Sequence, residues 1–281
     1  MNLFNNREIA TAIWLLVIFI LMLFKRDIRK SLLDVINAFF KIKILSSIFL
    51  MIAYTTGIVF VLYQINFWNT SLLKDTVVWF CFTGILMSFN LVTSDTDQNL
   101  FRKIIVSNIK IVIIIEFIVN TYTFSLVGEL ILIPVVTFIV ILEVVAKTDE
   151  KDSSVAKLMN GLQIIIGIVI LIFAISNVVS DYKNFGSLDT LRNFLLAPLL
   201  TISFLPFIYF MVLFATYELL FTRLNLGYEK SKKLKRYAKR KIIQHCLLSL
   251  KKVKKALNMN TYNLMHIRNE EDVDKMIKDL I

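Results

Sequence analysis

Glycine and proline are scarce, seven and three in a chain of 281 residues, and that scarcity excludes whole classes of chemistry. No GxxxxGK[ST] loop is available to cradle a phosphate. Histidine is scarcer still: His245 and His266 stand alone, without the Cys, His or Asp spacing that a metal site requires. HExxH and GxSxG are absent, as is any plausible Ser/His/Asp arrangement. The two cysteines, Cys81 and Cys246, supply no disulfide framework and read as small buried hydrophobes. The chain is therefore expected to hold no metal and no cofactor, and not to be an enzyme.

What the chain has in quantity is apolar length. Hydrophobic residues make up 57% of it and the mean hydropathy is +0.70, too apolar for an ordinary soluble domain. A helix crossing ~30 Å of hydrocarbon needs roughly 17–25 such residues. Runs of that order lie at 8–24, 44–65, 76–93, 158–180 and 194–221. These runs are continuously apolar, whereas barrel strands alternate. The predicted class is all-α, a polytopic bundle of transmembrane helices.

The remaining run, "IVIIIEFIVNTYTFSLVGELILIPVVTFIVILEVVA" over 111–146, is too long for one span. At ~1.5 Å per residue it would make a helix of about 54 Å. Charge parity points the same way. The basic clusters lie at 25–30, at Lys41 and Lys43, at Arg102, Lys103 and Lys110, at Lys147, Lys151 and Lys157, and in the tail. All fall on the cytoplasmic side only if 111–146 crosses twice. The expectation is seven spans, with 108–124 and 126–146 as a helical hairpin turning at Ser125–Gly128. The N-terminus is then outside and the C-terminus inside. Between the first two spans, 28–43 has Leu32, Leu33, Ile36, Phe39 and Phe40 on one face among cations, and is expected to lie in the membrane interface.

Glu116 is the one acid predicted to sit deep in a span, nine residues before the expected turn and roughly 13 Å from it. A carboxylate there must face protein or water or stay protonated. Asn120 follows one turn later on the same face, and Glu129 returns to a similar depth on the next helix. This polar face of Glu116, Asn120 and Glu129 has two open readings, an ion or proton path or packing between helices. Pro134, Pro198 and Pro206 interrupt their spans, as gating kinks or as ordinary packing.

Residues 1–222 carry 16 Lys/Arg against 15 Asp/Glu, whereas 223–281 carry 16 against 6. The division is thus a transmembrane domain over 1–222 and a basic cytoplasmic tail over 223–281. Residues 228–258 read as one long helix. Its first half presents Lys232, Lys233, Lys235, Arg236, Lys239, Arg240 and Lys241. Its second half carries a stripe of Ile242, Ile243, Cys246, Leu247, Leu250, Val253 and Leu257. A second helix begins at Asn269 and offers Val273, Met276, Ile277 and Leu280 to that stripe. The cations suit anionic lipid, or a cytosolic acidic protein, nucleotide or nucleic acid.

The segment "NNREIATAIWLLVIFILMLFKRDIRKSLLDVINAFFKIKI", with "TSLLKDTVVWF" and "EFIVNTYTFSLVGELILIP" further on, resembles a group of uncharacterised bacterial membrane proteins with an N-terminal NREIA…W signature. The resemblance implies a bacterial cytoplasmic-membrane protein and assigns no activity or site.

These features point first to a homo-oligomer that conducts ions or permeabilises the membrane, of the kind a defence-type effector would be, gated through its tail. The alternative is a non-conducting scaffold that recruits an acidic partner through the tail. A small-solute transporter comes third.

Overall fold

Long helices account for nearly every residue that can be placed. The structure, a computed structural model, describes residues 4–93, 111–148, 153–225, 232–258 and 269–279. Helices are α1 (Asn6–Leu23), α2 (Arg26–Phe39), α3 (Ile42–Gln64), α4 (Leu73–Trp79), α5 (Ile85–Thr93), α6 (Ile111–Thr121), α7 (Leu126–Thr148), α8 (Ser153–Ser180), α9 (Tyr182–Phe185), α10 (Leu188–Asn225), α11 (Lys232–Cys246), α12 (Leu250–Leu257) and α13 (Glu270–Asp279). Among the described residues there is no strand. The protein is an all-α, multi-pass membrane protein. Among the described residues, six helical stretches are long and apolar enough to cross a bilayer: Asn6–Leu23, Ile42–Gln64, Thr70–Asn90, Leu126–Thr148, Ser154–Ser180 and Leu188–Leu224.

Three sequence expectations fare differently. The segment 28–43, expected to lie in the interface, is not one helix: α2 ends at Phe39 and Ile42 and Lys43 begin α3. Within α2, Leu33, Val35, Ile36 and Phe39 are exposed and no residue is buried. Where the sequence predicts a hairpin over 108–124 and 126–146, the structure has two helices, α6 and α7, joined by a short turn. Residues 108–110 lie outside the described part, and the described α6, 11 residues long, is not among the six membrane-length stretches. The turn comes earlier than expected: α6 ends at Thr121, residues 122–125 form the bend, and Gly128 is already helical. Gly128 is there for space, since a Cβ on it would meet Phe124 Cβ at 3.2 Å. Cys81 is exposed rather than buried.

The chain divides into two units, residues 1–52, 60–77 and 106–199 in one and 53–59, 78–105 and 200–281 in the other. In the first, α1 packs on α7, and α8 packs on both α6 and α7. Ala10, fully buried, lets α1 approach closely. In the second, Trp79 donates its indole N–H to Thr201 Oγ1 at 3.0 Å and meets Phe204 edge-on at 5.5 Å. A π turn over Phe80–Gly84 follows Trp79 directly. Tyr54 donates to the Ser203 carbonyl at 3.1 Å, three residues before Pro206.

The second unit also holds the tail. Leu213, Leu220 and Leu224 of α10 share a buried cluster with Leu234, Ala238, Ile242, Cys246, Val253, Ala256 and Val273. The tail is not one helix, however. α11 stops at Cys246, Leu247 takes a left-handed φ of 45°, and Ser249 starts α12 by accepting the Lys252 N–H. Tyr217 and Tyr209 of α10 hold the break open, donating to the carbonyls of Leu247 at 2.7 Å and Leu248 at 2.5 Å. α13 begins as expected, with Asn269 Oδ1 accepting from Asp272 N at 2.8 Å. Val273 is buried and Ile277 packs on the cluster; residues 259–268, Leu280 and the Met276 side chain lie outside the described part.

Candidate functional site

The first turn of α1 is where distant parts of the sequence meet. Asn5 caps it in a reciprocal capping box: Glu8 N donates to Asn5 Oδ1 and Asn5 N donates to Glu8 Oε2, both at 2.8 Å. Each side chain of Asn5, Asn6, Arg7 and Glu8 then reaches a different partner. Asn5 Nδ2 donates to the Asn120 carbonyl at 3.1 Å and Asn6 Nδ2 to the Phe124 carbonyl at 2.9 Å. Lys74 Nζ donates to both Glu8 oxygens, at 3.1 and 3.2 Å.

Arg7 is the centre of the cluster. Its Nε and Nη2 donate to the two oxygens of Glu129, each at 3.0 Å. Its Nη1 donates to the Val119 carbonyl at 3.0 Å and lies 3.5 Å from Asn120 Oδ1. Glu129 is 0% exposed and takes a third bond from Phe124 N at 3.0 Å. The planar fork of Arg matches a carboxylate bidentately, which Lys cannot do. Glu129 also lies in the first turn of α7, where the helix N-terminus favours negative charge.

The same logic explains why these donors are needed. A helix end leaves its last carbonyls without intrahelical partners. α6 ends at Thr121, so the carbonyls of Val119 and Asn120 are such orphans, and Arg7 and Asn5 satisfy them. Pro134 lacks an N–H and so leaves the Leu130 carbonyl unbonded. Trp14 supplies the missing donor, its indole N–H reaching the Leu130 oxygen at 3.0 Å. α7 thus runs unbroken through Pro134, and α10 is likewise continuous through Pro198 and Pro206.

The predicted polar face is divided. Glu129 and Asn120 meet through Arg7. Glu116 stands apart, exposed with Ile114 and Ile115, and among the described residues no hydrogen bond or ion pair reaches it. Because α6 ends early, Glu116 lies five residues, about 8 Å, from the helix end. A second acid of α7 is satisfied locally: buried Glu143 contacts Lys147 Nζ and accepts from Gln163 Nε2, both at 2.6 Å.

In the tail, Lys232, Lys233, Arg236 and Arg240 are exposed, while Lys235, Lys239 and Lys241 are partly covered. Lys239 Nζ lies 5.2 Å above the Phe221 ring. Lys241 pairs with Asp274 at 3.3 Å. Its hydrogen bond with Tyr237, reinforced by Asp274, pushes its pKa above the usual 10.5.

Arg7, Trp14 and Lys74 were not evident as functional residues from sequence. The available signals were a lone arginine before the first apolar run and a proline that leaves a carbonyl open. No family model, curated protein or solved structure matches the chain.

Proposed function

We propose that the chain is one subunit of a homo-oligomer in the bacterial cytoplasmic membrane that forms a polar, ion-conducting path. Glu116 carries this reading. It is a carboxylate on the outward surface of an apolar hairpin, with Ile114 and Ile115 exposed beside it. Against lipid, an acid in a span costs roughly 2.5–3.5 kcal/mol. Copies that turn this face toward one another give Glu116 water or a cation instead, with Asn120 on the same side. The Arg7–Glu129 pair then acts as the fixed wall of the hairpin rather than as part of the path. The tail, packed on the end of α10, is the element through which a cytosolic signal reaches the spans.

Flux of monovalent cations from liposomes holding the purified protein tests the reading. Conduction is expected, and Glu116→Gln is expected to lower it or change its cation selectivity. A protein that is oligomeric yet passes no ion overturns it. In that case the exposed cations Lys232, Lys233, Arg236 and Arg240 favour a scaffold that binds an acidic partner.

A further inference from the structure

The break between α11 and α12 leaves Leu247 and Leu248 on the surface, 65% and 62% exposed. Two adjacent leucines in water at a strained elbow are costly, and ~25 cal/mol per Å2 of apolar surface favours covering them. Their height along α10 identifies the cover. α10 has 38 residues, about 57 Å of helix, nearly twice what a ~30 Å hydrocarbon core needs. Its charged start, Asp189 paired with Arg192 at 3.1 Å, marks one membrane boundary. Some 20 residues, or about 30 Å, beyond Arg192 the other boundary falls near Val212. The remaining stretch to Asn225 stands clear of the bilayer, and the tail folds back along it.

α11 runs antiparallel to that stretch. Lys239 is level with Phe221, whereas the elbow carbonyls reach Tyr217 and Tyr209. The elbow is thus at the boundary, not out in solvent. Phe214 of α10 and Ile243 of α11, exposed as well, line one open groove of about 700 Å3 with Leu247 and Leu248. This apolar rim is continuous with the exposed Phe210 one turn nearer the core of the membrane. Lys251 and Lys252 follow the elbow, where the headgroups would be.

We propose that the Leu247–Leu248 elbow inserts into the leaflet on the tail's side, cytoplasmic by the charge rule, with Lys251 and Lys252 on anionic headgroups. The rim of Phe214, Ile243, Leu247 and Leu248 rests among acyl chains, so lipid composition acts directly on the joint between α10 and the tail. This inference does not depend on conduction and fails separately from it.

The test uses the full chain with both native cysteines, Cys81 and Cys246, replaced (Cys81→Ser, Cys246→Ala), carrying a spin label at Leu248→Cys, Ile243→Cys or, as the aqueous control, Lys233→Cys. The protein is reconstituted in phosphatidylcholine vesicles containing phosphatidylglycerol. Labels at 248 and 243 are expected to collide with oxygen rather than with a water-soluble nickel complex, the reverse of 233, with an accessibility ratio several-fold apart. Nickel accessibility equal to that at 233 overturns the proposal. Labels at 248 and 243 that are immobile and shielded from both reagents also overturn it, because a second protein surface then covers the elbow.

Discussion

Arg7 and Glu129 are 122 residues apart in the chain, yet the guanidinium and the carboxylate meet at 3.0 Å through two parallel hydrogen bonds. The carboxylate has no contact with solvent. Removing one member of a buried pair strands the other, which costs about 3–5 kcal/mol, even where the intact pair adds little net stability.

Arg7→Ala is therefore expected to lower unfolding stability in detergent by about 3–5 kcal/mol. Arg7→Lys should recover only part, because a point charge cannot serve both carboxylate oxygens and the Val119 carbonyl. An Arg7→Ala protein within ~0.5 kcal/mol of the parent, the usual range for neutral surface changes, would show that the pair does not hold the hairpin.

Trp14 and Pro134 should be coupled through the Leu130 carbonyl. Trp14→Phe leaves that oxygen unbonded, at a cost of about 1–3 kcal/mol. With Pro134→Ala, residue 134 regains an N–H aimed at the same oxygen, so the Trp14→Phe cost should shrink. A double-mutant cycle is expected to give an interaction energy of about 0.5–3 kcal/mol. Strict additivity would argue that the indole N–H serves no proline-freed carbonyl.

Cys246 reports on the tail. It is buried, and that burial pushes its thiol above the usual value while Lys252 pulls it partly back. Alkylation thus waits for the tail to open. Lys241 is held up by Tyr237 and Asp274. A raised lysine contributes fully below its ordinary 10.5 and loses that contribution only as pH rises through the higher folded value. At pH 8 the contact is intact, so Asp274→Asn should speed maleimide labelling of Cys246 by a small factor, in keeping with an exposed ion pair. An unchanged rate would mean that α13 does not gate access to Cys246.

The all-α, multi-pass class was legible because apolar length acts over many residues at once. Glu116 and Asn120 were visible as polar interruptions of an isoleucine-rich run. The partner of Glu129 was not, since nothing local links residue 129 to residue 7. The tail break was missed for a different reason. The stripe from Ile242 to Leu257 contains no Gly or Pro, and helical spacing alone does not reveal that Tyr209 and Tyr217 hold a leucine at positive φ. Ser249, a good N-cap before "LKKVKKAL", was the one local sign. The apolar run of the last span also exceeded a membrane's needs. Sequence does not distinguish the part covered by lipid from the part covered by the tail.

The clasp on the first turn of α1 also sets an order of events during synthesis. Arg7 enters the membrane system before Glu129 exists. At roughly 5–20 residues per second, its carboxylate partner is made some 6–24 s later. Until then the donors of Asn5, Asn6 and Arg7 must be served by water or lipid headgroups at the surface, which keeps α1 a loosely held helix. Arrival of the hairpin converts it into a fixed one, so α1, made well before α7, is locked only once α7 is in place.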